Sequence, residues 1–328
     1  TLKIDTMKRG AALLVSAVLL LTVNAAALFG KEKTPAPAAE GAPIAHEIAI
    51  ETYRGIPYQA QFLATDTQGE DVTFAVVTPP KRGTVTLDGV NFTYTPAPDK
   101  TGTDSFTYAA TDSAGNVSLP ATVTVSIGKV KSGVTYADTR DSAAAAAAQQ
   151  LAETGVFTGA NIGGQYYFEP TRTVSREEFL AMVLETAGAE VTEVTMTGFC
   201  DDAAIPAWAK AYAAAGLTAG VVRGSATAEG TAFRGREPIT FNEAAAVMNR
   251  VLAVSDVNLA VWYADRDSVP DWAAQAVGNM ESVSVLAAGS FGSEAMENSV
   301  TRGDAAQMLA AAQTLLDGER VGLFDWLE

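Results

Sequence analysis

One cysteine and one histidine in 328 residues leave little of the chemistry on which many active sites are built. A lone cysteine cannot close a disulfide within the chain, so stability has to come from core burial and the stacking of repeated units. Cys200 occupies the slot held by Ala137 and Ala264 in related stretches of the chain, which reads as a small buried residue and not a nucleophile. His46 stands at the edge of a linker and reads as exposed. Adjacent acids such as Asp201 with Asp202, or Glu177 with Glu178, could suggest glycoside hydrolysis. Both pairs fall inside a repeated motif, however, and nothing in the sequence sets a second acid across a cleft. The expectation is therefore a protein that is not an enzyme.

Basic residues are also scarce. Lys and Arg number 22 against 38 Asp and Glu, a net charge of −16, which makes nucleic acid and anionic membrane surfaces poor bulk partners. From Val134 onward the count is 11 against 26, so nearly all the imbalance lies in the second half. Ten of those 11 basic residues are arginine. Its planar fork suits a carboxylate, although codon bias would produce the same excess.

What is present is taken from the start of the chain. Met7, Lys8 and Arg9 precede an apolar run from Ala11 to Val23, followed by Asn24 and the alanines 25–27. A basic stretch, about a dozen apolar residues and a small-residue cut site describe a secretory signal peptide over 1–27. The competing reading is an uncleaved anchor, since Ala11 to Phe29 nearly suffices to span a bilayer. With cleavage after Ala25 or Ala27, no stable membrane span remains. Residues 28–43 are rich in Pro, Ala and charge, and read as a linker.

Period-two alternation then runs from Ile44 to Ile127: Ile48, Ile50; Tyr58, Ala60, Phe62; Val72, Phe74, Val76; Val85, Leu87; Phe92, Tyr94; Phe106, Tyr108; Val123, Val125, Ile127. Seven short strands separated by turns such as Gln68–Gly69, Asp88–Gly89 and Ala114–Gly115 predict an all-β sandwich over 44–128. Three stretches, Pro79 to Val85, Phe92 to Pro96 and Gly102 to Tyr108, resemble the cadherin-like bacterial Ig family. Some relatives bind calcium, which makes Asp66, Asp104 and Asp112 the available oxygen ligands. The alternative is that these acids serve turns and edges, with no cofactor.

After a short linker at 129–133, a motif occurs three times. Val174, Ser175, Arg176, Glu177, Glu178 is followed by Ile239, Thr240, Phe241, Asn242, Glu243 and by Val300, Thr301, Arg302, Gly303, Asp304. An apolar residue, a hydroxyl and an acid three positions later form a reciprocal capping box at a helix start. The hydroxyls lie 65 and 61 residues apart. Upstream, Asp138, Asp201 and Asp265 lie 63 and 64 apart. Such a period means stacked repeats, here 134–197, 198–261 and 262–328. Trp208 and Trp272 each stand seven residues after their aspartate, and the helices that follow close near Gly155 with Gly159 and Gly216 with Gly220.

At these residues the chain resembles three tandem S-layer homology (SLH) repeats. The resemblance implies a mainly α three-repeat bundle with a pseudo-threefold arrangement, and grooves between neighbours that hold secondary cell wall polysaccharide, often pyruvylated. The motif arginine would meet the acidic group. The polysaccharide-binding candidates are thus Arg176 and Arg302 at helix N-termini, Asp138, Asp201 and Asp265 at the groove rim, Trp208 and Trp272 as sugar-stacking rings, and Gly159 and Gly220 at the loops. Each has a structural alternative: salt bridges for the arginines, loop bracing for the aspartates, core filling for the tryptophans. Phe241 in the arginine slot predicts a weakened groove in repeat two, or one that relies on Arg223, Arg234 or Arg236. Ala145 replaces the first tryptophan.

The whole therefore reads as a multidomain, extracellular cell wall protein, anchored through SLH repeats and displaying an Ig-like sandwich. An adhesin acting through the sandwich, or a structural subunit packing with other S-layer subunits, are the alternatives.

Overall fold

A computed structural model describes residues 41–69, 71–262 and 269–324, so the expected signal segment lies outside the described residues. The chain divides into two compact units, Thr1–Lys129 and Val130–Glu328, each described by itself. Among the described residues no helix is long and apolar enough to cross a membrane.

The first unit contains β1 (Ile44–Ala45), β2 (Ile48–Tyr53), β3 (Tyr58–Gln61), β4 (Ala64–Thr65), β5 (Thr73–Thr78), β6 (Gly83–Asp88), β7 (Asn91–Pro96), β8 (Gly102–Thr111) and β9 (Ala121–Gly128). All seven strands expected from alternation form. The two-residue strands β1 and β4 pair with each other and are too short to alternate. Two sheets result, ordered β2-β9-β8-β5 and β3-β7-β6. β2 runs parallel to β9 from Ile48 opposite Val123 to Tyr53 opposite Gly128, and the other neighbours are antiparallel.

Between the sheets lie Phe92, Tyr94, Phe106, Tyr108, Val123 and Val125, all buried. Phe62 stacks on Tyr108 and Phe92 with ring centroids 4.3 and 4.6 Å apart, an arrangement that adds to the area these rings remove from water. Tyr108 carries its hydroxyl to 2.5 Å from the His46 carbonyl and 2.7 Å from that of Leu63, tying β8 to the segments around β1 and β4. His46 is half-buried, with its ring 2.7 Å from the Thr65 hydroxyl, so it is less exposed than its place beside the linker suggests.

Asp104 and Asp112 are buried acids of this unit, and Asp104 draws its donors from several segments. Its carboxylate accepts from the backbone N–H of Lys81 at 3.0 Å, Arg82 at 2.8 Å and Ser105 at 2.9 Å, and from the Tyr94 hydroxyl at 2.8 Å. Burial opposes its charge, but these donors outweigh burial and hold the carboxyl below the ordinary aspartate value.

In the second unit, α1 (Ala145–Glu153), β10 (Ala160–Ile162), β11 (Gln165–Tyr167) and α2 (Arg176–Thr186) form the first repeat. The second comprises α3 (Ala207–Thr218), β12 (Ser225–Thr227), β13 (Gly230–Ala232) and α4 (Phe241–Leu252). After α5 (Leu259–Trp262), which lies at the boundary of repeats two and three, the third has α6 (Asp271–Ser282) and α7 (Arg302–Phe324), with a 3-10 turn at Glu294–Glu297 where the others place a hairpin. The capping boxes form as expected. Ser175 and Thr240 accept from the N–H of Glu178 and Glu243, whose side chains reach back, and Thr301 pairs likewise with Asp304.

The apolar residue before each cap is extended, and its backbone groups cannot join the helix. They satisfy one another. The N–H of Val174 donates to the carbonyl of Val300 at 2.9 Å, that of Val300 to Ile239 at 2.8 Å, and that of Ile239 to Val174 at 3.1 Å, closing a buried ring of three. One residue further on, the first helical N–H of each second helix donates to a loop of another repeat: Arg176 to Glu237, Phe241 to Asn298, and Arg302 to Arg172. Helix packing follows the same cyclic order, α2 on α3, α4 on α6, and α7 on α1.

Replacing Asp104 with Ala would take the acceptor from three backbone N–H groups and a buried hydroxyl, at a cost of roughly 2–4 kcal/mol. Urea unfolding of the wild type and Asp104→Asn should show the aspartate's advantage in full above its unfolded value near 3.8. Because the folded carboxyl is the more acidic, that advantage should be lost as pH falls through the lower folded value.

Candidate functional site

The cyclic packing opens two equivalent grooves. The first lies between α2, which contributes Glu178, Ala181, Met182 and Glu185, and α3, which contributes Trp208 and Tyr212. Phe157, from the loop after α1, and Arg302, from the start of α7, complete a volume of about 310 Å³. The second lies between α4, with Glu243, Ala246, Val247 and Arg250, and α6, with Trp272. Arg223, from the loop after α3, and Arg176, from the start of α2, complete about 340 Å³. The α2 and α4 positions match at a spacing of 65 residues, so Glu178 corresponds to Glu243 and Glu185 to Arg250.

The motif arginine thus does not serve the helix that it starts. Each start points across the bundle axis into a groove walled by another repeat's second helix, which sequence spacing alone does not reveal. The expectation that Phe241 weakens the groove of repeat two is therefore corrected: the groove at α4 receives Arg176. Phe241 is instead partly buried against the core, with its N–H on the Asn298 carbonyl, and Ala145 stands in the tryptophan position on α1, which packs on α7. Of the substitutes named in advance, Arg223 lines the second groove. Arg234 is held elsewhere, its N–H bonded to Asp201 at 2.8 Å.

The two arginines differ in environment. Arg302 has a side chain only 7% exposed; it donates to the carbonyl of Phe168 at 2.7 Å and to Glu169 at 2.9 Å. Its guanidinium lies 5.0 Å from the centroid of the Phe157 ring. It ties repeat three to repeat one. Arg176 pairs with Glu243 across repeats and is more open at 20%, while its buried Nε has no partner. Beside it, burial and then the nearby Arg223 charge push the Arg250 guanidinium below its usual value. In the first groove Glu185 accepts from the Tyr212 hydroxyl at 2.5 Å, a bond that raises the tyrosine's pKa.

Trp208 and Trp272 are 51% and 60% exposed. The core-filling alternative is corrected for both: helix phase turns them outward while the neighbouring Ala209 and Ala273 are buried. Asp138 and Asp201 are braces. The first accepts from the N–H of Phe168 and Glu169 at 2.9 and 2.7 Å, the second from those of Phe233 and Arg234 at 2.8 Å each. Glu169 and Arg234 are held at φ 55° and 56°, a left-handed backbone disfavoured for non-glycine residues. Asp265 lies outside the described residues.

Gly159 has φ +67°, and a Cβ there would sit 2.3 Å from the Tyr167 carbonyl. Its partner in repeat two is Gly224, with φ +69° and a Cβ position 2.7 Å from the Ala232 carbonyl. Gly220, which also has positive φ but open space around it, matches Gly155 instead. The 65-residue spacing would have found this pairing. Cys200, expected to be buried, is exposed.

In the first unit a mixed four-stranded sheet, with β2 parallel to β9, packs on an antiparallel three-stranded sheet around an aromatic core, the arrangement of an Ig sandwich. Residues 40–127 match the family model of a bacterial Ig domain. No SLH family model matches the repeats, and no curated protein matches the chain.

Solved structures similar to part of the chain include an endo-fucoidan hydrolase of glycoside hydrolase family 107, at 20% identity over 28% of this chain with TM-score 0.24. The chain spans 14% of that hydrolase. The SrpA adhesin from Streptococcus sanguinis is 18% identical over 30% of this chain and 63% of its own, with TM-score 0.22. Fibronectin(III)-like modules of Clostridium thermocellum CbhA are 14% identical over 27% of this chain and 100% of their own, with TM-score 0.18. These local likenesses carry no argument about function.

The Ig domain does not gather its candidate calcium ligands. Asp66 accepts from the N–H of Gln68 at 2.6 Å, Asp112 from the N–H and side-chain amide of Asn116 at 2.7 and 2.9 Å, and Asp104 from its four donors. Asp66 and Asp112 each serve their own turn, and Asp104 ties β8 to the segment before β6 and to Tyr94. Among the described residues no three His, Cys, Asp or Glu are grouped to hold a metal ion.

Arg302→Ala should cost about 2–3 kcal/mol, because it leaves the buried Phe168 carbonyl without its donor and removes the partner of the half-exposed Glu169. Arg176→Ala, at a more open pair, should cost about 1 kcal/mol or less. Urea denaturation followed at tryptophan fluorescence would show the difference, and equal losses would contradict the distinction.

Proposed function

We propose that this is a non-catalytic surface protein held to a cell wall by its C-terminal unit and displaying an Ig domain. In this reading the second unit is a bundle of three SLH repeats, and its ligand is an acidic secondary cell wall polysaccharide. The supporting observation is that two grooves of like construction recur, each combining an exposed tryptophan on one repeat's first helix with a motif arginine delivered from another repeat. An indole face packs against the apolar face of a sugar ring, and a guanidinium beside helix N-termini receives an acid. The closed backbone ring supports the pseudo-threefold reading, because each repeat contributes the same residue position to it. A groove that stays rigid when empty loses less entropy on binding.

The body carrying these grooves is strongly acidic, so recognition depends on local donors and not on the overall field. Attraction to an acidic polymer should therefore change little with moderate salt, unlike that of a basic protein. Washed cell walls retaining their accessory glycopolymer should sediment the full chain at both 50 and 300 mM salt, about six-fold apart and spanning the usual screening range. Walls stripped of that polymer should leave it in the supernatant. Equal retention on stripped walls would refute the anchoring reading.

A further inference from the structure

The two grooves share one frame but differ in charge. In the first, Glu178 is paired with Arg172 at 2.8 Å, Glu185 has the Tyr212 hydroxyl as its partner, and Arg302 is sealed beneath Phe157. No cation there is open to a ligand. In the second, Glu243 is taken by Arg176. Arg223 and Arg250 have no carboxylate partner among the described residues; Arg250 donates to the Val221 carbonyl at 2.9 Å, and Arg223 is exposed. Two like charges in one groove repel each other, and an anion placed between them removes that cost. Arg176 adds a buried Nε without a partner at the same wall. Trp272 is the exposed aromatic face beside them.

We propose that the α4–α6 groove alone reads the acidic group of the polysaccharide, with Arg223 and Arg250 as the residues that select it. The α2–α3 groove, with Glu185 in the place of Arg250 and Phe157 facing the ligand, excludes that group and receives only uncharged sugar. The selecting residues lie outside the repeated motif that contains Arg176 and Arg302. The ligand chemistry is a carboxylate or a phosphate on a saccharide. This inference rests on the wall-binding reading above.

The test is co-sedimentation of the full chain with washed cell walls, comparing untreated walls with carboxyl-reduced walls and with walls freed of phosphodiesters by acid. Losing one charge-assisted contact should weaken binding about tenfold or more. Arg223→Gln, and Arg223→Gln with Arg250→Gln, are expected to show this loss, with Trp272→Ala comparable and Trp208→Ala much smaller. Glu185→Arg should raise binding by giving the first groove an open cation. Whichever wall treatment abolishes the binding of the wild type names the anion. The single Arg223→Gln change touches an exposed side chain, so an effect of misfolding is separable by its unfolding curve.

Full binding by the double arginine variant, or equal losses from Trp208→Ala and Trp272→Ala, overturns the assignment while leaving wall anchoring intact. Wall binding that survives both treatments also overturns it, since no acid is then being read. A wild type that fails to sediment with untreated walls defeats the anchoring reading, and this inference with it.

Discussion

Three backbone hydrogen bonds, closing a ring through Val174, Val300 and Ile239, are the constraint on which the second unit depends. Each is worth only about 0.5–1.5 kcal/mol when made. Each would cost about 1–3 kcal/mol if broken and left buried, and the three residues are fully enclosed. No repeat can supply its own partner, because the residue before a helix cap is extended and has no neighbour in its own repeat. The repeats therefore complete one another, and the order of the ring dictates which helix meets which.

That closure explains why a residue at a helix start belongs to two repeats at once. The helix begins in one repeat, yet its first N–H and its side chain enter the next, so Arg302 joins Phe168 and Glu169 while Arg176 joins Glu243. The two copies of one motif thereby come to differ in environment. Arg302 has become a buried tie, whereas Arg176 keeps an unpartnered donor beside two further arginines. The aspartates upstream act in the same frame: by gripping two successive N–H groups, Asp138 and Asp201 hold Glu169 and Arg234 in a left-handed backbone that sets the path of the loop into the next helix start.

Much of this was legible beforehand where the signal is local. Alternation located all seven longer strands of the Ig domain, and the spacing of hydroxyl and acid located the starts of α2, α4 and α7. β1 and β4 escaped because two residues carry no period. The hairpins β10–β11 and β12–β13 went unread, although Gly163–Gly164, both at positive φ, is a tight-turn signal between two short segments. Which groove an arginine enters could not be read, since it depends on the cyclic order of packing and not on distance along the chain. The exposure of Trp208 and Trp272 likewise depends on helix phase, which an alanine-rich helix leaves undefined because alanine is accepted on both faces. Cys200 was misjudged for a related reason: a small residue in a repeated slot need not be buried.

The account's central claim is that the three repeats close as one cooperative body through that ring. Native-state hydrogen exchange at the N–H groups of Val174, Ile239 and Val300 tests it most directly. All three should exchange with the same opening free energy, equal to that for unfolding the whole C-terminal unit. Exchange of any one of them through a smaller, separate opening, with the other two still protected, would contradict it.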